Sequence, residues 1–309
     1  MSKLAEVSSD PILKEYSQGA AQSATSAVAD FLAPTVPVAT LTGRYKEYTQ
    51  KNRFRIPNTA RALGGSATQI GFSAKDKTFN CEPHALDFPV DNLEKIETAD
   101  LMNVMQEGAD LVAAAAALAH EKKVIDAALA AMGNGTALAI TAGDDIIDQI
   151  DKKITAVIKA AKYGGLMGVG VIFGAGAYRV AKNHPSVKSR FVAGGKGQFA
   201  VPTIEQFSQL LMATPDVRLS LMCYDDAPEG LAEDIQFTLD GDILVFARMA
   251  NPTRFDPSFM KTFRLRGQFM VPGTYQKEDG RGEVAKYDWS EDVQVTNEEA
   301  AERLTVALN

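Results

Sequence analysis

Between Leu101 and Met132, apolar residues return every three or four positions: Leu101, Val104, Met105, Gly108, Val112, Ala115, Ala116, Ala119, Val124, Ala128, Leu129 and Met132. That spacing predicts one amphipathic helix over 101–132. Gly133-Asn134-Gly135 follows it, and residues that tolerate positive φ stop a helix. At 1.5 Å per residue the helix would run roughly 45–50 Å, longer than a compact globule of about 300 residues is wide. A bridging helix of that length points to an extended, plate-like subunit.

The periodicity differs on either side. Ala27, Val28, Phe31 and Leu32 share one short helical face before Pro34 and Pro37 break it, so residues 1–37 read as an arm. From Val38 to about Leu93 the pattern is extended, with turns at Pro57-Asn58 and Gly64-Gly65. Ile70, Phe72, Phe79 and Cys81 flank Lys75-Asp76-Lys77 at strand spacing, which predicts a projecting two-stranded arm turning at those charges. A second helix is expected from Asp144-Asp145 through Ala161, then a buried strand at Val169–Phe173 and a helix from Ala175 to His184. Pro202 and Thr203 open another helix with Ile204, Phe207, Leu210 and Leu211 inward, and Leu219–Tyr224 and Ile243–Ala247 read as strands. The tail is β-rich. Phe263, Leu265, Phe269 and Val271 alternate with polar residues, as do Ala285, Tyr287 and Trp289 after a turn at Lys277–Gly280, and Asn297 would cap a short last helix.

Charge changes this picture more than composition does. Of 309 residues, 46% are hydrophobic and 23% charged, ordinary values for a globular chain with a large core. The net charge of −7 argues against nucleic acid as the main partner. Between Thr42 and Arg61, however, Arg44, Lys46, Lys51, Arg53, Arg55 and Arg61 face one anion, Glu47. That segment is +5 in a chain of −7, leaving −12 elsewhere. Between 225 and 242 lie Asp225, Asp226, Glu229, Glu233, Asp234, Asp240 and Asp242, without a Lys or Arg. The 2 cysteines, Cys81 and Cys223, are too few for a disulfide scaffold. No signal peptide or membrane span is expected, because the longest apolar run, 166–177, is too short for a bilayer.

The motifs that carry chemistry are incomplete. Gly168-Val169-Gly170 with Gly174 and Gly176 has the spacing GxGxxxGxG rather than GxGxxG, and no acid follows at the distance needed to hold a ribose. A strand and turn that need close backbone approach is the simpler reading. Gly194-Gly195-Lys196-Gly197 lacks the Ser or Thr of a phosphate-binding loop. His84, His120 and His184 have neither a second histidine at helical spacing nor a cysteine beside them, so no metal, cofactor or catalytic residue is assigned. The basic arm admits two readings. Cations among Tyr45, Tyr48 and Phe54 suit single-stranded nucleic acid, by phosphate contact and stacking. Equally, a +5 arm suits the acidic surface of a neighbouring copy, which also accounts for the acidic run.

Several stretches resemble the major capsid proteins of tailed bacteriophages. They are Gly43-Arg44-Tyr45, Phe54-Arg55-Ile56-Pro57-Asn58-Thr59, Arg61-Ala62-Leu63-Gly64-Gly65 and Thr78-Phe79-Asn80-Cys81-Glu82-Pro83-His84-Ala85-Leu86. Asn183-His184-Pro185-Ser186-Val187 and Asp256-Pro257-Ser258-Phe259 with Thr262-Phe263-Arg264 continue the resemblance, in order, over roughly 38–295. Two features depart from it: Gly164–Gly170 replaces the family's Pro-Asn strand opening, and Leu239-Asp240-Gly241-Asp242 replaces a tryptophan.

The resemblance implies an α+β capsid fold: an N-terminal arm at 1–37, an extended hairpin loop and the start of a peripheral domain at 38–92, and the spine helix of that peripheral domain at 93–134. An axial domain at 135–260 and a return to the peripheral domain at 261–309 complete it. It further implies a structural protein and not an enzyme, self-assembling into hexamers and pentamers of an icosahedral virion shell around double-stranded DNA. Scaffolding, portal and decoration proteins would be partners, a membrane would not, and assembly would occur in the host cytoplasm. The alternatives are a cellular nanocompartment shell of the same fold, a nucleotide-binding protein and a single-strand-binding protein. Candidate inter-subunit residues are Arg44, Lys51, Arg53, Arg55 and Arg61 on the arm, facing Asp225, Asp226, Glu229, Glu233 and Asp234 of a neighbour.

Overall fold

One long helix joins two five-stranded sheets, and two isolated ribbons project from them. The structure is a computed structural model that describes residues 28–49, 56, 58–61, 63–69, 73–92, 101–161, 168–191, 202–228, 232–249, 251–254, 256–267, 269 and 271–308. Its elements begin with helix α1 (Ala29–Leu32) and strands β1 (Thr35–Val38), β2 (Thr42–Thr49), β3 (Ser73–Asn80) and β4 (Glu82–Asp91). The long helix α2 (Leu101–Met132) leads to β5 (Thr136–Ala137), α3 (Ile146–Ala161), β6 (Gly168–Phe173), α4 (Ala175–Asn183), α5 (Pro185–Phe191) and α6 (Ile204–Leu210). Strands β7 (Asp216–Leu219), β8 (Cys223–Asp225), β9 (Ile235–Phe237), β10 (Asp242–Arg248), β11 (Met260–Leu265), β12 (Val271–Gln276), β13 (Gly282–Val295) and β14 (Ala301–Thr305) complete the chain.

Helix α2 has the bounds that the sequence predicts, and Gly133 ends it at φ +61 with its N–H on the Leu129 carbonyl. Its apolar face is not one stripe. The first half places Ala109, Val112, Ala113 and Ala116 against Val90 of β4 and Ala285 and Tyr287 of β13. The second half turns Val124, Ile125 and Ala128 into a separate, larger core. Ala115 and Ala119, expected inward, are exposed, because alanines stand on every face of this helix and mark none of them.

The first sheet is organised by β13. One edge pairs with β4 over Gly282–Glu291, and the other is shared between β12 and β11. Strand β1 then adds in parallel to β11, with Thr35 opposite Thr262. The second sheet runs β5-β14-β10-β6-β7. Helix α3 covers it with Ile146, Ile147, Ile150 and Ile154, all inaccessible to solvent, and Asp145 caps that helix by accepting from the N–H groups of Ile147 and Asp148. Thr203 and Gln206 close a capping box on α6, which seats Phe207 beside Phe173 with ring centroids 5.2 Å apart.

Five expectations need correction. Residues 29–37 do not belong to an arm: Phe31 and Leu32 are buried in the larger core, and β1 is a sheet strand. Lys75–Lys77 is not a turn but the middle of β3, which pairs with β2; Ile70 and Phe72 lie outside the described residues. Leu219–Tyr224 is not one strand, because Ser220 is buried and the chain passes there from β7 to β8. Gly267, at φ +72, divides Phe263–Val271 into β11 and β12. Finally, Glu298–Ala300 forms a single 3-10 turn, after which β14 leaves the first sheet and joins β10 in the second, so 261–309 is split between the two.

Candidate assembly surfaces

Strands β2 and β3 pair only with each other, from Thr42 opposite Asn80 to Thr49 opposite Ser73. A two-stranded ribbon buries too little to be stable alone, and this one carries Arg44, Lys46, Glu47, Lys75, Asp76 and Lys77. The register sets Lys46 opposite Asp76 and Glu47 opposite Lys75. Its root is apolar. Phe79 stacks on Phe263 at 4.6 Å between centroids, and Tyr45 lies 5.4 Å from the same ring, with Val36, Val38 and Cys81 closing the cluster. Arg254 lies over the Phe79 ring at 5.4 Å and donates to the Arg44 carbonyl at 2.8 Å. The Asn80 N–H donates to the Asp292 carboxylate at 2.8 Å. Burial, with Asp292 and Glu291 adding to it, pushes the Cys81 thiol up to about 11, so it stays protonated and inert.

A buried charged cluster locks α2 to the first sheet. His120 Nδ1 lies 3.0 Å from Glu291 Oε1, and Arg264 donates to Glu291 Oε2 at 2.7 Å. Burial raises the Glu291 pKa, but the His120 hydrogen bond and the His120 and Arg264 charges outweigh it and hold the carboxyl at about 2. Arg264 also covers Phe269, its guanidinium 4.0 Å from the ring centroid. A second buried pair, Lys261 Nζ to Asp256 at 3.0 Å, fixes the chain entering β11; Asp256 also accepts from the N–H groups of Thr253 and Ser258.

The acidic run forms the second ribbon, β8 paired antiparallel with β9. Its inner face meets α2: Lys122 lies 4.9 Å above the Tyr224 ring, and Ser220 bonds both Glu121 and Thr238. Asp225 is consumed by its own loop. Its Oδ1 accepts from the N–H groups of Ala227 and Asp234 at 2.9 Å each, and those bonds lower its pKa. Asp234 accepts from the Gln236 amide at 2.9 Å.

Of the ten candidate contact residues, Lys51, Arg53, Arg55 and Glu229 lie outside the described residues. Arg44, Arg61, Asp225, Asp226, Glu233 and Asp234 are all exposed, and within one chain these six form no ion pair with one another. The anchors of the arm were not anticipated. Phe263 and Phe79 were legible as apolar strand positions, whereas Arg254 and Asp292 carry no local signal.

Among the described residues no group of three His, Cys, Asp or Glu could hold a metal ion, and no helix is long and apolar enough to cross a membrane. His184 bonds the Thr141 carbonyl at 3.0 Å and Ser186 at 2.8 Å, while His84 stacks on Trp289 at 5.5 Å. The glycines near 170 serve packing. A β-carbon on Gly170 would lie 2.7 Å from the Phe246 ring and 2.9 Å from Phe31, and one on Gly174 would strike the Asp240 backbone. Gly194–Gly197 lies outside the described residues.

No protein-family model matches the sequence, and no curated protein matches it. Solved structures match its fold over nearly the whole chain. A phage-related protein of Bordetella bronchiseptica superposes with a TM-score of 0.71 at 17% identity, covering 96% of this chain and 97% of its own. The capsid of the cyanophage P-SCSP1u gives 0.55 at 12% identity, covering 90% and 87%. An encapsulin of Synechococcus elongatus gives 0.50 at 9% identity, covering 90% and 86%. The chain has the shell-protein fold of the tailed-phage major capsid proteins.

Proposed function

We propose that this protein is a major capsid protein, a structural subunit that closes into hexamers and pentamers of an icosahedral head around double-stranded DNA. The observation that carries the reading is the near-complete match to the folds of a phage-related protein and a phage capsid, in a chain whose basic β2–β3 ribbon pairs with no other strand. Such a ribbon gains stability by lying on a neighbour, and ring closure repeats one heterologous contact around an axis. The division of the subunit follows from the same reading. Helix α2 and the first sheet form a peripheral domain, the second sheet and its helices an axial domain, and 38–92 holds the extended loop and the start of the peripheral domain. The assembled virion is its location, built in the host cytoplasm with scaffolding, portal and decoration proteins as partners.

Arg44, Lys51, Arg53, Arg55 and Arg61 then face Asp226, Glu233 and their acidic neighbours on the next copy, and complementary charge sets register there more than affinity. Replacing both Arg53 and Arg55 with glutamate is expected to abolish or deform assembly while circular dichroism and the thermal midpoint of the monomer stay unchanged. Shells of normal shape from that variant would refute the contact. The encapsulin match favours one second reading, a nanocompartment shell. Purified particles decide between them: DNA inside supports the phage head, and a protein cargo without DNA supports the compartment.

A further inference from the structure

We propose that the exposed side of helices α3, α4 and α5 is a cationic face that holds the phosphate backbone of duplex DNA, without regard to sequence. The inference rests on the shell reading above and names the surface that meets the enclosed nucleic acid.

Residues 152–204 contain nine Lys or Arg and no Asp or Glu, so this stretch is +9 in a chain of −7 and leaves −16 elsewhere. Seven of the nine stand on the three helices, while Lys162 and Lys196 lie outside the described residues. The buried side of these helices is apolar: Ile150 and Ile154 from α3, Ala177 and Tyr178 from α4 and Val187 from α5 enter the larger core. Helix α5 is tied to the start of α3, where the Ile146 N–H donates to Ser186 Oγ at 3.4 Å and Arg190 pairs with Asp145. Three of the seven cations are neutralised, Lys152 by Asp148, Lys153 by Glu302 and Arg190 by Asp145. Lys159, Arg179, Lys182 and Lys188 form no ion pair among the described residues.

Arg179 and Lys182 are three positions apart on α4 and share a face. Lys182 extends along the Tyr178 ring, its Nζ 5.4 Å from the centroid. A cation in the last turn of a helix offsets the helix dipole, which accounts for Lys159, Lys182 and Lys188 one at a time. It accounts neither for Arg179 nor for the lack of any carboxylate over 152–204. The partner is anionic, and its class follows from what accompanies the charge. None of the large exposed apolar side chains among the described residues belongs to α3, α4 or α5, so a protein partner would find no apolar core for its contact. Tyr178 is buried and offers no platform for unpaired bases. Cations without apolar company suit the phosphates of a duplex, whose condensed counterions they release.

Fluorescence anisotropy of a short labelled duplex of random sequence, titrated with the full-length chain at rising salt, tests the assignment. Four phosphate contacts make the affinity fall about 150-fold between roughly 50 and 200 mM salt, and removing two of them reduces that fall to about 12-fold. The larger fall is expected for the wild type. The smaller one is expected both for Lys159→Gln with Lys188→Gln and for Arg179→Gln with Lys182→Gln, each with wild-type circular dichroism. Lys75→Gln with Lys77→Gln, on β3, should change nothing. Wild-type salt dependence in both helix variants, or an equal loss from the β3 variant, overturns the inference. So does displacement of the duplex by poly-glutamate as readily as by unlabelled duplex, which would assign the face to an acidic protein. Electron microscopy of the same samples keeps the two readings apart: particles without the salt effect leave the shell standing alone, and the salt effect without particles leaves the DNA face standing alone.

Discussion

Replacing Glu291 with alanine is expected to lower the stability of the monomer by about 3–5 kcal/mol, the range for removing one partner of a buried ion pair. The carboxylate is shared between His120 on the spine and Arg264 on β11, and both side chains are almost wholly shielded from water. Its loss leaves the Arg264 guanidinium buried beside an empty site and uncouples the helix from the sheet. Glutamine keeps the shape and one acceptor, so Glu291→Gln should lie between alanine and the wild type in urea melts.

The same carboxylate gives a pH dependence with a definite sign. Its pKa is about 2 in the fold against an ordinary value of 4.5, so the folded state prefers the ionised form. The stabilisation, about 3 kcal/mol, is fully present above pH 4.5 and is lost as the pH falls through about 2. Stability measured from pH 6 down to 2 should fall less steeply in Glu291→Gln than in the wild type. Parallel curves would show that other carboxylates control the acid limb.

Phe263→Ala carries the second large effect, about 3–5 kcal/mol for deleting a fully buried phenylalanine. Its ring is stacked by Phe79 and flanked by Tyr45, so one substitution opens a cavity at the root of the arm. Hydrogen exchange is expected to report it locally, with protection lost first along 42–49 and 73–80. Phe263→Leu should keep most of that protection. Uniform loss of protection across both sheets would mean that the arm root has no independent role.

Local signals made some elements legible and left others hidden. The ends of α2 were readable because glycines at 133 and 135 follow a long periodic run, and Gly133 does take positive φ. Its two-core packing was not, since alanine reports no preference between Tyr287 of β13 on one side and solvent on the other. Lys75-Asp76-Lys77 looks like a turn because three charged residues in a row carry no apolar period; β3 runs straight through them, with Lys75 opposite Glu47 and Asp76 opposite Lys46 in register. The hand-over at Ser220 is hidden for the opposite reason, as Leu219–Tyr224 is apolar but for that serine and the break depends on Glu121 and Thr238, both distant in sequence. Charge segregation located both candidate surfaces. Only the fold showed that Asp225 is engaged by its own loop and that Leu221, Ile235 and Phe237 stand outward beside it.

Negative-stain electron microscopy of the protein expressed alone, beside its size-exclusion profile, shows whether copies of this chain build a closed shell. Closed shells, capsomer rings or curved sheets are expected. A monodisperse monomer at every concentration, with none of these on the grid, would contradict shell formation.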